Sequence, residues 1–162
     1  MEFTQKELYD LLNRPRPVWL ALADLSEASL YHANLPGAIL VGANLYYARL
    51  EGANLSGADL FKANFECANL NGADLREADL KNAKLIRTML IYARLERANL
   101  SEADLSYAHM GSADLREADL SFANLNEADL REAELGGAKY NKRTLWPDGF
   151  DPKAFGAILV DE

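Results

Sequence analysis

The sequence predicts an all-β solenoid, a parallel β-helix with a short N-terminal α-helical cap. Three observations carry that prediction. From Leu25 to Tyr140 every fifth residue is large and apolar; of these 24 positions 21 are Leu, the others being Phe65, Met110 and Tyr140. Two residues before each stands Ala in 23 of the 24 units, with Thr88 the exception. Charged side chains four units apart alternate in sign, as in Arg76, Glu96 and Arg116. A period of five fits neither a helix nor a single straight strand. The chain is therefore expected to turn a corner once per unit, and the alternating charges favour a return above itself after every fourth unit.

The elements follow in chain order. Residues 1–19 read as an N-terminal helical cap. Thr4 and Glu7 have the spacing of a capping box, and Phe3 and Leu8 that of a hydrophobic staple. Leu8, Leu11 and Leu12 form one apolar face, and Asn13-Arg14-Pro15 stops the helix.

Residues 20–145 read as the β-helix. An Ala-x-Leu unit is locally extended, so Ala and Leu point inward and the middle residue outward. The next two residues are polar or Gly and suit a corner. Six of the ten glycines (Gly37, Gly42, Gly52, Gly57, Gly72 and Gly137) fall at the second corner position, where unusual dihedrals are least costly. Asp or Asn fills the middle position in 15 of 24 units, where its side chain can bond nearby backbone and hold the bend. Stacked opposite charges attract. Glu77, Arg97 and Glu117, and also Asp74, Arg94 and Asp114, form ladders beside that of Arg76.

Residues 146–162 read as a C-terminal cap or tail. The five-residue pattern fades at Leu145, and Trp146-Pro147-Asp148-Gly149-Phe150 is turn chemistry flanked by aromatics. Ala157-Ile158-Leu159 repeats Ala-x-Leu out of the main register, which predicts one added edge strand. Both ends are expected to cover exposed core and open strand edges.

Runs such as Ala53-Asn54-Leu55-Ser56-Gly57-Ala58-Asp59-Leu60 resemble the pentapeptide repeat family, whose consensus is A(D/N)LXX, and the resemblance covers about 115 of 162 residues. It implies a right-handed quadrilateral β-helix with four units per coil. The chain would then make about six coils, roughly 29 Å at ~4.8 Å of strand spacing. The two ends resemble those of the small cyanobacterial members.

Composition narrows the function. The net charge of −8 argues against nucleic acid as a direct ligand. The imbalance is local: residues 101–138 hold nine acids and two bases. Neither a basic n-region nor an apolar run long enough for a signal or a membrane span is present, so a cytoplasmic protein without membrane contact is expected. Cys67 has no second cysteine to pair with. His32 and His109 lie far apart in the chain, both in solvent-facing slots, with no metal spacing and no triad. No phosphate loop or dinucleotide fingerprint occurs. The expectation is a non-enzyme without cofactor or metal.

The outward surface remains, and it points to another protein as the partner, with a monomer favoured. Residues 86–92 depart furthest from the repeat. Met89 takes a slot that is usually Asp or Asn, and Ile86, Ile91 and Tyr92 take corner slots that favour small or polar residues. Rule-breaking of this kind is expected at functional sites. The candidate protein-binding residues are Ile86, Met89, Ile91 and Tyr92, with Arg87 and Tyr107 at the edge. The alternative is mimicry of nucleic acid by the acidic stretch 101–138, directed at an enzyme such as gyrase, which the resemblance implies for some relatives.

Overall fold

The structure, a computed structural model, describes residues 4–12 and 17–161. Helix α1 spans Gln5–Leu12. Its capping box forms as the sequence predicts. The Glu7 carboxylate accepts from the Thr4 N–H at 2.8 Å, and the Thr4 hydroxyl accepts from the Glu7 N–H at 3.3 Å. Two orphan donors of the first turn are thereby satisfied. Leu8 is buried within the core. Phe3 and the Asn13-Arg14-Pro15 stop lie outside the described residues, as do the side chains of Leu11 and Leu12.

The solenoid follows. Each middle residue forms a parallel bridge with the middle residue four units on, from Trp19–Ile39 to Asp119–Lys139. Four bridges per turn give each coil four sides. The first side carries Asn54, Asp74, Arg94 and Asp114 at its centre, the second Asp59, Asp79, Asn99 and Asp119. The third carries Asn64, Lys84 and Asp104, and the fourth Asn69, Met89, His109 and Asp129. Val18-Trp19-Leu20 forms a rung one unit before the first Ala-x-Leu, with Val18 and Leu20 buried and Trp19 bridging Ile39.

The backbone accounts for the regularity. On each side the Leu N–H donates to the middle carbonyl of the next coil, as in Leu75 to Arg94 at 2.7 Å. The middle N–H donates to the Ala carbonyl of the previous coil, as in Arg94 to Ala73 at 2.9 Å. The second corner N–H donates to the first corner carbonyl of the next coil, as in Glu77 to Glu96 at 3.0 Å. Each corner closes through the Ala N–H and the preceding Leu carbonyl, as in Ala78 to Leu75 at 3.2 Å. The second corner residue has φ near +60° throughout, from Leu22 (60°) to Gly137 (75°), as the third residue of a type II turn requires. The Asp and Asn side chains hold the bend. Asp79 Oδ1 accepts from the Lys81 N–H at 3.0 Å, and Asp119 Oδ1 from the Ser121 N–H at 2.9 Å.

The core is the inner Ala and Leu of every unit, almost all without solvent exposure; Ala33 alone is partly open. Small and large residues alternate around a narrow coil, so close packing leaves little room for either to grow. Thr88, in an Ala place, is fully buried, and its hydroxyl donates to the Phe65 carbonyl at 2.8 Å.

The tail completes two of the four sides. Leu145 bridges Asn124, one position later than the regular spacing would place it. Strand β1 (Lys139–Tyr140) pairs in parallel with β2 (Ile158–Leu159), and Ile158 meets Lys139 one position early. The register thus slips once in each direction. Between these rungs, Tyr140, Trp146, Phe150 and Phe155 form a chain of ring contacts, with centroids 5.5, 5.3 and 4.8 Å apart in turn. A 3-10 turn over Pro152–Phe155 is capped by Asp151, whose Oδ1 accepts from the Lys153 N–H at 3.1 Å.

Candidate functional site

Two surfaces of opposite chemistry run along the solenoid. The first is the charged corner after the first side. Arg97 meets Glu77 at 3.8 Å and Glu117 at 2.9 Å, so that predicted ladder forms. Arg116 meets Glu96 at 3.1 Å, and Arg94 meets Asp74 at 3.5 Å. Arg76 departs from expectation. It turns back to Asp74 in a two-pronged bond, Nε to Oδ1 at 2.8 Å and Nη2 to Oδ2 at 2.6 Å. Asp74 also accepts from the Arg76 N–H, and a two-pronged guanidinium–carboxylate bond is among the strong charge-assisted ones. The forks of Arg76 on Asp74 and Arg116 on Asp114 hold both carboxyls below the usual range. A groove of about 440 Å³ runs along this corner. Three Arg and three Glu line it and cancel, so it presents no net charge to a ligand.

The second surface is the fourth side and its corners. Met89 sits at the centre of this side, the Ile86-Arg87 corner precedes it, and the Ile91-Tyr92 corner follows it. Met89, Tyr92 and Tyr107 are 37%, 69% and 50% exposed, and Ile86 and Ile91 are half-buried. Tyr107 lies one coil above Arg87, and the guanidinium carbon stands 5.4 Å from the ring centre. The six residues read from the sequence therefore lie on a single side and its two edges. The slots one coil away differ in character. Asn69 and His109 flank Met89; Asn71 and Gly111 flank Ile91; Gly72 and Ser112 flank Tyr92. The fold accepts small or polar residues in each of these slots.

Sequence reading passed over Lys84. It is exposed at the centre of the third side, next to the Ile86-Arg87 corner. Its signal was the charge balance of residues 81–97, which hold five bases (Lys81, Lys84, Arg87, Arg94 and Arg97) against Glu96 in a chain of net charge −8.

The described residues contain no group of three His, Cys, Asp or Glu side chains able to hold a metal ion. His32 lies over Gly52, its Nδ1 3.3 Å from the Gly52 carbonyl oxygen, and edge-on to Tyr31 at 4.1 Å. Cys67 is half-buried at a second corner position. No helix among the described residues is long and apolar enough to cross a membrane.

The pentapeptide repeats family matches residues 23–60, 63–101 and 98–137, in eight copies. The chain belongs to the pentapeptide repeat family. Structures of the family are right-handed quadrilateral β-helices, and the four-sided coil described above is of that kind. Among solved structures, HetL, a pentapeptide repeat protein involved in heterocyst differentiation regulation from the cyanobacterium Nostoc sp. strain PCC 7120, is 36% identical with a TM-score of 0.69. That likeness covers 76% of this chain and 63% of HetL. A pentapeptide repeat protein from the Arabidopsis thaliana thylakoid lumen is 27% identical with a TM-score of 0.57, over 58% of this chain and 66% of that one. The chain thus spans less than two thirds of either relative. No curated protein matches it in sequence.

Proposed function

We propose that this chain is a non-catalytic protein-binding module whose contact surface is centred on Ile86, Met89, Ile91 and Tyr92, with Arg87 and Tyr107 at the edge. One observation carries the reading. Four large apolar side chains occupy adjacent slots of one coil, although the coils on either side show that the fold does not need them there. Aromatic residues, Met and Arg are the types enriched in interface cores. Regulation through binding suits a rigid solenoid, and HetL is involved in regulation. The same reading takes α1 and residues 146–162 as caps, supported by the burial of Leu8 and by the ring contacts of Trp146 and Phe150.

Mimicry of nucleic acid has less in its favour. Of the nine acids in residues 101–138, Glu102, Asp114, Glu117, Asp129 and Glu134 are each within 4 Å of a Lys or Arg.

The test is Met89→Asp with Tyr92→Asn, chosen because both side chains are exposed and Asn tolerates the positive φ at position 92. The double variant should keep the parent's melting temperature and lose the proteins that the parent captures from its source organism. A folded variant that retains every captured protein would refute the reading.

A further inference from the structure

Residues 24–138 carry ten Lys and Arg side chains. Seven of the ten stand within 4 Å of a carboxylate. The other three, Lys62, Lys84 and Arg87, have no such partner among the described residues, and all three are exposed. They are also neighbours. Lys84 is the centre of the third side, Arg87 lies on the corner that closes it, and Lys62 lies on the corner that opens it one coil below. Two of them rest on rings instead of carboxylates. The Lys62 ammonium is 5.0 Å from the centre of Phe61, and the Arg87 guanidinium is 5.4 Å from that of Tyr107.

Three carboxylates share these coils of the third side and its corners. Glu102 meets Lys81 at 3.1 Å, and the two cancel. Asp104 Oδ1 accepts from the Ser106 N–H at 3.0 Å and from the Asn124 amide at 3.1 Å. Glu66 lies one coil below Ile86 and, among the described residues, comes within 4 Å of no Lys or Arg. Three cations thus face two acids, a positive balance in a chain of net charge −8. This face adjoins the apolar patch through the Ile86-Arg87 corner. Lys84 is five residues from Met89, so at most roughly 18 Å of chain separates them. One short partner segment can touch both. An anionic membrane or a nucleic acid extends far beyond one face and would meet the acids of the others. A short acidic segment feels mainly the charges within the screening length of ~8 Å.

We infer that the partner presents an acidic segment to this surface, an inference that rests on the reading of the Met89 patch as the contact surface. Large apolar side chains of the segment sit on Met89, Ile91 and Tyr92. Asp or Glu within about five residues of them reaches Lys84, Arg87 and Lys62. The apolar contact supplies affinity, and the ion pairs supply selectivity and register.

The test uses the full chain, isotope-labelled, and a displayed library of random short peptides. Selection on the parent chain should enrich peptides that combine Leu, Phe or Trp with Asp or Glu. The tightest of them, made synthetically, should shift the amide signals of Lys84, Met89 and Tyr92, and its binding should weaken as salt rises. Lys62→Glu with Lys84→Glu should weaken it by about tenfold or more at an unchanged melting temperature. That variant spares all six patch residues and so tests charge alone; if it melts lower, the salt dependence on the parent chain decides. A peptide that shifts the patch amides but binds parent and charge variant equally overturns the inference and leaves the reading of the patch standing. A peptide that binds the Met89→Asp, Tyr92→Asn variant as tightly as the parent overturns both. Selection that yields only neutral or basic peptides, or none, also overturns the inference. So does a shift of the same amides by vesicles of phosphatidylserine and phosphatidylcholine, or by raising protein concentration alone, since the occupant is then a lipid surface or a second copy of the chain.

Discussion

Among the described residues, 18 that are not glycine hold φ between 52° and 63°. A left-handed conformation costs an L-residue roughly 1–2 kcal/mol. The coil imposes it because each corner must redirect the chain in two steps and still bring the Ala N–H back to the Leu carbonyl. Glycine lowers that cost at positions such as Gly57, where a Cβ would meet no atom within 4 Å. Gly57→Ala should therefore lose about 1 kcal/mol, purely from the backbone. At Gly52 a Cβ would stand 2.4 Å from His32 Nδ1. Gly52→Ala should lose more, because the ring must leave its place beside the Gly52 carbonyl and Tyr31. Adding His32→Ala should remove the excess. Urea melts of the three variants check this, and an unchanged midpoint for Gly57→Ala would mean that its positive φ carries no cost. Asp and Asn work at the same scale, since one Oδ1 anchors each bend through the amide at the next-but-one position. Asn34 precedes Pro36, whose nitrogen carries no proton to give.

Within one side of the solenoid the element is the stack, and its electrostatics are local before they are vertical. Glu96 lies 3.1 Å from Arg116 and 3.7 Å from Arg94. Glu96→Arg would gather four like charges with Arg76, Arg94 and Arg116. The loss should be on the order of 1 kcal/mol at low salt and should shrink as salt rises. Reversing Arg116 as well should recover part of it. Equal melting of parent and single variant at low ionic strength would show that these charges do not communicate. The Asp–Arg forks make a second prediction. Arg131 holds Asp129 down to about 2, below its ordinary value of 3.8. A lowered folded pKa adds stability above the unfolded value, and that stability is lost as the pH falls through the folded one. The contribution of Asp129 should thus be complete above about pH 4 and disappear between there and about pH 2. Asp74 and Asp114 act in the same sense. Carboxyl signals followed by NMR should show Asp129 moving up toward the ordinary value in Arg131→Met; an unmoved titration would place the cause elsewhere.

For the whole molecule, every rung depends on the one before it, so stability is a chain of neighbour contacts and the ends are its weak points. Leu130, Ala128 and Ala133 are slightly open where the inner residues of central coils are closed. The tail adds rungs at Leu145 and Ile158 and lays Trp146 and Phe150 across the end. A chain ending at Tyr140 should melt at a lower temperature and self-associate through its uncovered edges. Light scattering should show a mass that grows with concentration. A monomeric truncated chain with the parent's melting temperature would show that the tail is not needed.

The coil was legible in the sequence because its inner face is written directly: Ala and Leu at fixed spacing, and charges that recur at every fourth unit. A narrow coil admits only one inward pattern, so periodicity alone determines which residues are buried. The same register sorts the outward residues into sides, and it gathered Met89, Tyr92 and Tyr107 before any coordinates did. Tertiary structure decided what periodicity does not encode. It placed Val18-Trp19-Leu20 as a rung although the Ala is missing there. It fixed positive φ at residues as unlike as Leu22, Phe122 and Glu132, since corner geometry follows from closure of the coil and not from the residue's preference. It turned Arg76 to Asp74 in a fork within one unit, whereas Arg116 makes the same fork on Asp114 and still reaches Glu96 across coils. It also set the long step from Asn124 to Leu145 and the short one from Lys139 to Ile158. There the aromatic packing of Trp146, Phe150 and Phe155 overrides the five-residue count, and among the described residues neither the first nor the fourth side gains a further rung.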